Sequence, residues 1–323
     1  MRRGKHRFWV LVLLGLCLAI GLVTAAWLTG ELGRATSQSP LSNVPLASDK
    51  SWGVTADLAA MSEGERATAL QRMEEAGFQW LRQRFAWDAI EPERNTYEWA
   101  DWDAIVAGAT RHNIRIIAVL DGSPGWARTA LDSDNPLAPP QEYRDFGDWA
   151  AIVASRYGAE IDHYQVWDEP NIAPHWGARE VDPAGYARLL REGSIRIRSA
   201  DPGAVILAAA LAPNVESGGA NMSELLFLEG LYDKGAEPWF DVIAAQPYRF
   251  GQPLEAPPDP RRLNWQRVSL LREVADRAGD QQAAIWAVSS GLSEATSSSV
   301  ERAVVQSRRD WPWLGPMLWA AWA

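Results

Sequence analysis

Strand-like and helix-like stretches alternate along this chain from residue 51 onward, and that alternation constrains the fold more than any other feature. Strands separated by helices pair in parallel, with the helices outside the sheet. The alternation therefore predicts an α/β fold, a single (β/α)8 TIM barrel over residues 51–323. No Gly-rich phosphate loop follows the first strand, which argues against a doubly wound nucleotide-binding sheet. The eight predicted strands are the short apolar runs 51–56, 78–85, 114–120, 161–167, 204–210, 240–245, 283–288 and 314–319.

Helix signals between these runs support the same order. Ser62 and Glu65 have the spacing of a capping box, and Asp182 before Pro183 is a helix start. After the eighth strand the chain ends at Ala323, too early for another helix. The sequence therefore predicts either a barrel that closes without its last helix or a chain cut short. The predicted helices are 63–76, 101–112, 143–157, 183–197, 222–234, 265–275 and 300–309.

The N-terminal segment predicts a membrane anchor. Residues 8–28 form an uncharged run of 21 residues, long enough to span a bilayer as one transmembrane helix. The basic residues within 1–7 predict that this stub stays in the cytoplasm, which places the barrel on the extracytoplasmic side of the cell membrane. The alternative is a cleaved signal peptide, cut near Ala25 and Ala26, and a secreted protein. Residues 29–50 predict a Ser/Pro-rich linker.

The amino-acid composition limits the classes of molecule that this protein is expected to bind. The formal net charge of −10 at pH 7 argues against nucleic acid. The 18 Trp residues suit a protein that stacks indole rings on sugars or packs them in its core. The only Cys, Cys17, has no partner for a disulfide. The four His are scattered along the sequence, so neither a metal site nor a cofactor is predicted.

The strongest functional signal stands at the end of the fourth predicted strand. Pro170 cannot donate to a strand ladder, so the strand stops before it and leaves Asp168 and Glu169 at its carboxyl end. In a (β/α)8 barrel, catalytic groups collect at that rim. A carboxyl group beside indole rings and shielded from water has a raised pKa, as a general acid near neutral pH requires.

This stretch also carries a family resemblance. Trp-Asp-Glu-Pro-Asn at 167–171 is similar to the Trp-Asn-Glu-Pro-Asn signature in the large clan of retaining β-glycoside hydrolases that includes families 5 and 39. The resemblance implies that Glu169 is the acid/base. It also implies that Asp168 stands where an Asn contacts the sugar 2-hydroxyl, and that Asn171 belongs to the substrate-binding motif.

Weaker motifs extend the resemblance over most of residues 51–323. Arg84, at the end of strand 2, stands where the clan keeps an Arg that steadies the nucleophile. Ser-Pro-Gly-Trp-Ala at 123–127 is similar to the clan's Thr-Pro-x-Trp-Ala, and Gln-Pro-Tyr at 246–248 stands where family 39 commonly has His-Pro-Tyr. The residues expected from these motifs and from strand-end indoles to bind sugar are Arg84, Trp126, Asp168, Asn171, Gln246, Tyr248, Trp286 and Trp319.

The residue that the clan uses as nucleophile is missing. The clan has a Glu there, at the end of strand 7 in a Trp-x-x-Glu-x-Gly pattern, whereas Trp-Ala-Val-Ser-Ser-Gly at 286–291 puts Ser289 at that position. A serine hydroxyl is not ionised at neutral pH. Retaining hydrolysis needs a second carboxyl group about 5–5.5 Å from the first, and inverting hydrolysis needs one about 6.5–9.5 Å away. Glu294, five residues later, is the nearest candidate, with Asp121 and Glu216 on other loops.

Asp168 is disfavoured as that second carboxyl group, because adjacent residues of an extended strand point to opposite faces. The sequence therefore predicts a membrane-anchored glycoside hydrolase that acts on the O-glycosidic bond of a β-linked oligosaccharide or polysaccharide, with Glu169 as general acid/base. One alternative is a catalytically inactive carbohydrate-binding barrel, which the change to Ser289 suggests. Another alternative is an envelope scaffold protein that uses the rim for protein contacts.

Overall fold

A computed structural model describes residues 44–291 and 297–320. Within those ranges no helix is long and apolar enough to cross a membrane. The predicted cytoplasmic stub, the predicted anchor over residues 8–28 and most of the predicted linker lie outside the described residues, as does Glu294.

Eight parallel strands close into a barrel, as the alternation of strand and helix patterns predicts. Each strand pairs with its neighbours in sequence, and the first pairs with the last. The hydrogen-bonded order is therefore that of a (β/α)8 barrel, and the predicted fold class is confirmed. The strands are β1 Trp52–Thr55, β2 Trp80–Ala86, β3 Arg115–Asp121, β4 His163–Val166, β5 Val205–Leu207, β6 Val242–Ala245, β7 Ala284–Ser290 and β8 Leu314–Trp319.

Helices follow each of the first seven strands. The capping box at Ser62 and Glu65 is formed, and the Asp182 carboxylate accepts a hydrogen bond from the Ala184 N–H at the start of its helix. The fifth helix begins two residues later than predicted, because residues 221–222 pair with 217–218 in a short hairpin. A short helix of four residues, Trp87–Ile90, follows β2. The longer helices are α1 Glu63–Glu75, α2 Ala100–Arg111, α3 Tyr143–Tyr157, α4 Pro183–Ala200, α5 Glu224–Asp233, α6 Val268–Arg277 and α7 Ser297–Asp310.

An aromatic cluster fills the lower end of the barrel, where the strands begin. The Trp286 ring lies 5.1 Å from the Trp80 ring and 5.1 Å from the His163 ring, measured between centroids. Its indole N–H donates to the Leu46 carbonyl at 2.8 Å. A Cβ at Gly315 would lie 2.5 Å from Trp286 Nε1, so only glycine allows β8 to pass this close.

The last residues of the predicted linker belong to the packed domain. Val44 and Ala47 are buried, and Asp49 accepts hydrogen bonds from the Trp80 indole and the Arg115 guanidinium. This short segment, the last part of the predicted linker, therefore packs against the lower end of the barrel.

A second group of indole rings packs outside the barrel. Trp319 stacks on Trp52 at 6.5 Å and on Trp265 at 6.5 Å, and Trp265 stacks in turn on Trp311. Trp265 begins the segment that leads into α6, so this stack joins strands to helices. Much of the unusual tryptophan content is therefore structural.

Candidate functional site

Glu169 lies at the upper rim of the barrel, by which we mean the carboxyl ends of the strands. Its Oε1 accepts a hydrogen bond from Gln246 Nε2 at 2.9 Å, and its Oε2 lies 3.4 Å from His175 Nε2. The side chain remains 24% exposed. Burial raises the pKa of the Glu169 carboxyl, and the neighbouring charge of Asp168 raises it further. Glu169 is therefore suited to hold a proton and to release it to a bound molecule.

The backbone around Glu169 departs from strand geometry. β4 ends at Val166, one residue earlier than predicted, and both Trp167 and Glu169 have left-handed φ angles, of 66° and 49°. A non-glycine residue in this conformation costs of order 1–3 kcal/mol and is common at functional sites. The buried Trp167 ring is held in place, because its indole N–H donates to the His175 carbonyl at 3.0 Å.

This geometry corrects the argument against Asp168. The backbone is not extended from 167 to 169, so the alternation of strand faces does not apply. Asp168 Oδ1 lies 2.5 Å from Arg82 Nη2 and accepts a further hydrogen bond from Gln165 Nε2 at 2.9 Å. Its charge also contributes to the raised pKa of Glu169, so the two carboxyl groups are close neighbours.

Arg84 pairs with two carboxylates of the rim. Its Nε donates to Asp121 Oδ1 at 2.6 Å, and its Nη2 lies 3.9 Å from Asp88 Oδ1. Its hydrogen bonds and ion pairs are with these two carboxylates rather than with Ser289. Burial raises the pKa of Asp121 to about 6, against the opposing charge of Arg84. Asp121 is only 5% exposed, so this carboxyl group is enclosed by the protein.

Ser289 lies at the end of β7 and is paired with Tyr248. The two side-chain oxygens are 2.6 Å apart, and Ser289 is buried. A Cβ at Gly291 would lie 2.2 Å from the Tyr248 ring, so the glycine allows Tyr248 to approach this closely. Burial raises the pKa of Tyr248, and the nearby charges of Glu169 and Asp168 raise it further. At the position where the clan has its nucleophile, the structure thus presents two neutral hydroxyl groups.

A cavity of about 300 Å³ opens at this rim. Its lining includes two arginines and two aspartates, and its volume is in the range of a ligand pocket. We call it the rim cavity. Its lining residues are Thr55, Ala56, Asp57, Arg82, Arg84, Val119, Asp168 and Ala320.

Several residues expected to bind sugar lie elsewhere. Asn171 is fully buried and bonds to the backbone of Ala212 in both directions, so its amide serves the loop after β4. Trp286 belongs to the aromatic cluster at the lower end, not to the rim. Trp319 is stacked between the Trp52 and Trp265 rings.

Trp126 and Glu216 lie in rim loops. The Arg94 guanidinium covers the Trp126 ring at 4.1 Å, and the indole N–H donates to the Glu91 carbonyl. This leaves at most one ring face for a ligand. Glu216 accepts a hydrogen bond from Asn221 within the short hairpin.

Arg82 is a site residue that sequence reasoning missed. For His175 the sequence left two interpretations open, a position over the sugar site and a plain loop position. Arg82 precedes Arg84 by two residues on β2, and this spacing puts both side chains on one strand face. That spacing was the available signal for Arg82. His175 comes close to Glu169 because the loop after β4 folds back, and its spacing in sequence carries no such signal. In the part of the chain that the structure describes, no group of three or more His, Cys, Asp or Glu side chains is arranged to hold a metal ion.

Known proteins share this architecture. A family model described as Glyco_hydro_42, beta-galactosidase, matches residues 60–127, which include Arg82, Arg84 and Trp126. A search of curated proteins gave no match. The resemblance to glycoside hydrolases with (β/α)8 barrels is confirmed by the family model together with solved structures.

Three of those structures illustrate the likeness. A family 39 glycoside hydrolase from Bacteroides cellulosilyticus is 17% identical, with a TM-score of 0.64 over 87% of this chain and 57% of the other. A GH39 beta-xylosidase from Caulobacter crescentus is 15% identical, with a TM-score of 0.61 over 86% of this chain and 62% of the other. The GH10 protein from Paenibacillus barcinonensis is 18% identical, with a TM-score of 0.55 over 86% of both chains.

The chain thus spans about three fifths of the length of the two family 39 enzymes. At these identities the likeness establishes the fold.

Proposed function

We propose that this protein is a glycoside hydrolase that cleaves the O-glycosidic bond of a β-linked glycan, with Glu169 as general acid/base. The observation that carries the proposal is the state of Glu169. It is a partly exposed carboxyl group at the carboxyl end of β4, and its pKa is raised by burial and by the charge of Asp168. A general acid must hold its proton at the working pH and must reach the leaving oxygen. The raised pKa of Glu169 favours the first requirement, and its exposed fraction supports the second.

The surrounding side chains fit this role. Gln246 donates to one carboxyl oxygen of Glu169 and leaves the other oxygen facing His175. Glu169 protonates the glycosidic oxygen as the bond to C1 breaks, and then accepts a proton from the water that attacks C1. The rim cavity, lined by Arg82, Asp168 and their neighbours, would receive the sugar ring.

A second candidate is a carbohydrate-binding barrel without hydrolysis. The Tyr248–Ser289 pair favours it, because two neutral hydroxyl groups cannot stabilise a cationic sugar as a carboxylate does. The envelope scaffold is a weaker candidate, since it gives no reason for a strained backbone at Glu169 beside a polar cavity.

Turnover of nitrophenyl β-glycosides by the full chain tests hydrolysis. The panel should include the galactoside and the xyloside, because similar proteins are described as beta-galactosidase and beta-xylosidase. We expect wild-type turnover on at least one substrate of a panel that also covers the glucoside and 2-acetamido sugars. In Glu169→Gln, the turnover of natural glycans should fall by a factor of about 10²–10⁴. Glu273→Gln, an exposed change on α6, is the matched control.

Binding measurements separate the alternatives. Glycan-array binding without turnover on any substrate would replace the hydrolase with the binding barrel. If the protein neither binds nor cleaves any glycan, the envelope scaffold is the candidate that remains.

We also propose that residues 8–28 anchor the protein in the cell membrane with the barrel outside. The uncharged run and the preceding basic residues support this arrangement. The protein should then fractionate with membranes and resist extraction at high salt. A soluble product beginning near Trp27 would show that the segment is a cleaved signal peptide.

A further inference from the structure

We propose that Asp168 is a second catalytic residue and that the preferred substrate carries an acetamido group at C2 of the cleaved sugar. The carbonyl oxygen of that group would act as the nucleophile that the protein lacks at Ser289. This inference rests on the proposed hydrolysis by Glu169 and adds the substrate class and the source of the nucleophile. Substrate-assisted hydrolysis of this kind is an established exception to the two-carboxylate scheme.

The first support is that the side chains described around Glu169 include no suitable protein nucleophile. Ser289 and Tyr248 hydrogen-bond to each other, and neither has a base beside it that would make it a nucleophile. Asp121 is buried and held by Arg84 Nε, so it is poorly placed to attack a sugar. Among the described residues, Asp168 is then the carboxylate that both lines the rim cavity and adjoins Glu169.

The second support is the way in which Asp168 is held. Arg82 and Gln165 both donate to its Oδ1, the former in an ion pair that presents the side chain as a carboxylate. Within residues 44–291 and 297–320, no protein donor contacts Oδ2. An acceptor oxygen at the cavity wall is thus left for a ligand, and an amide N–H of the substrate is a suitable donor.

The third support is the backbone. Left-handed φ angles at Trp167 and Glu169 turn two consecutive carboxyl groups toward the same rim. An extended strand would separate them onto opposite faces. The strain of these two residues is therefore explained by a task that needs Asp168 and Glu169 together.

The chemical steps follow from this placement. The acetamido oxygen bonds to C1 while the glycosidic bond breaks, and the leaving oxygen takes the proton of Glu169. The amide nitrogen becomes positively charged in the resulting oxazolinium ion, and the Asp168 carboxylate stabilises that charge through the N–H. Water then bonds to C1, gives its proton to Glu169, and returns the acetamido group. The product keeps the β-configuration.

The hydroxyl pair is consistent with these steps. Ser289 is smaller than the Glu that the clan has at this position, which leaves room beside C1 for the acetamido group. The Tyr248 hydroxyl can donate to the acetamido oxygen without competing as a nucleophile, because burial and the nearby carboxylates raise its pKa.

Paired substrates test the inference. Nitrophenyl N-acetyl-β-glucosaminide and N-acetyl-β-galactosaminide should be hydrolysed at least about 100-fold faster than the glucoside and galactoside, which differ only in bearing a 2-hydroxyl. Successive fluorination of the acetyl methyl should lower kcat/KM stepwise, because it weakens the carbonyl as a nucleophile. Equal or faster turnover of the 2-hydroxyl sugars would overturn the inference and leave the proposed hydrolase standing. If no sugar of either class is cleaved, the hydrolase itself fails.

Variants test Asp168 separately. Asp168→Asn should lose at least about 100-fold in kcat on the acetamido substrates. It should also weaken binding of a thiazoline analogue of the oxazolinium ion by tenfold or more. Asp148→Asn, which removes the carboxylate of an Asp–Arg pair between α3 and α4, is the matched control and should change neither.

Unchanged turnover in folded Asp168→Asn would overturn the assignment. If that variant does not fold, the fluorinated series with the wild-type protein still decides the source of the nucleophile.

Discussion

The two ends of the barrel contrast sharply. At the lower end, Trp80, Trp286 and His163 pack ring against ring, and Leu46 closes the opening. At the upper rim, carboxyl groups and arginines surround a cavity of about 300 Å³. Both ends are formed by the same strands, and single strands supply both kinds of residue. β2, for example, has Trp80 at its start and Arg82 two residues later.

The contrast teaches which residues stabilise the fold and which serve a site. At the lower end, the indole N–H groups of Trp80 and Trp286 are hydrogen-bonded and their rings are closely packed, as a stable core requires. At the upper rim, the left-handed φ angles of Trp167 and Glu169 lie on either side of Asp168, and Arg84 Nη2 and Asp88 Oδ1 are buried without a hydrogen bond. Such costs persist where function needs them. Changes at the lower end should therefore affect folding, and changes at the rim should affect chemistry.

The largest expected effect on stability is at the lower end. Trp286→Ala should lower the free energy of unfolding by about 3–5 kcal/mol, because it empties a closed aromatic cluster. Chemical denaturation followed by circular dichroism measures this loss. Trp126→Ala, at the rim, is the comparison and should cost much less. Similar losses for both variants would remove the contrast between the two ends.

A substitution at Ser289 should change which substrates are hydrolysed rather than the stability of the fold. Ser289→Glu places a carboxylate beside Tyr248 at the end of β7. It should gain tenfold or more in turnover of activated β-glycosides with a 2-hydroxyl, and should lose turnover of acetamido substrates by occupying their space. The gain should vanish in Ser289→Glu/Glu169→Gln on substrates with poor leaving groups. Wild-type turnover that Glu294→Gln abolishes would instead place the second carboxyl group later in that loop.

Trp126 should show a smaller effect, on binding. Its ring is half-buried and has Arg94 over one face, so a sugar would use the other. Trp126→Ala should weaken oligosaccharide affinity by about 1 kcal/mol, the scale of one aromatic contact. Isothermal titration calorimetry measures this loss. Unchanged affinity in a folded variant would make Trp126 a packing residue.

The smallest expected effect is a shift in pH dependence. His175 Nε2 lies 3.4 Å from Glu169 Oε2, and a charge on that ring lowers the pKa of the carboxyl group against the raising effect of burial. Replacing His175 removes this lowering effect. Activity that needs protonated Glu169 is lost as the pH rises through this pKa. The alkaline limb of kcat/KM should therefore move to higher pH in His175→Gln. The control variant is His112→Gln. His112 pairs with Glu74 on α1 and has no contact with Glu169, so this change should leave the alkaline limb where it is.

The sequence predicts the barrel well because its strands are short buried runs whose periodicity is local. It predicts Glu169 because Pro170 ends the strand at a fixed point. It does not predict the direction in which Trp286 and Trp319 point. That direction depends on the register of each strand with its neighbours in the closed barrel. The prediction that Asp168 and Glu169 point to opposite faces was wrong for a similar reason. The local sequence Trp-Asp-Glu does not indicate left-handed backbone angles. Those angles depend on tertiary contacts such as the bond from Trp167 to His175.

The central claim is that Glu169 donates a proton to the leaving oxygen, and a leaving-group series tests it most directly. The values of kcat/KM should be measured for wild type and Glu169→Gln on aryl β-glycosides from dinitrophenyl to phenyl, using the sugar that wild type prefers. The account predicts that wild type depends weakly on the leaving group. It also predicts that the loss in Glu169→Gln grows along the series, from slight for dinitrophenyl to a factor of about 10²–10⁴ for phenyl. An equal loss for every leaving group, or no loss, would contradict it, because Glu169 would then bind the sugar without donating a proton.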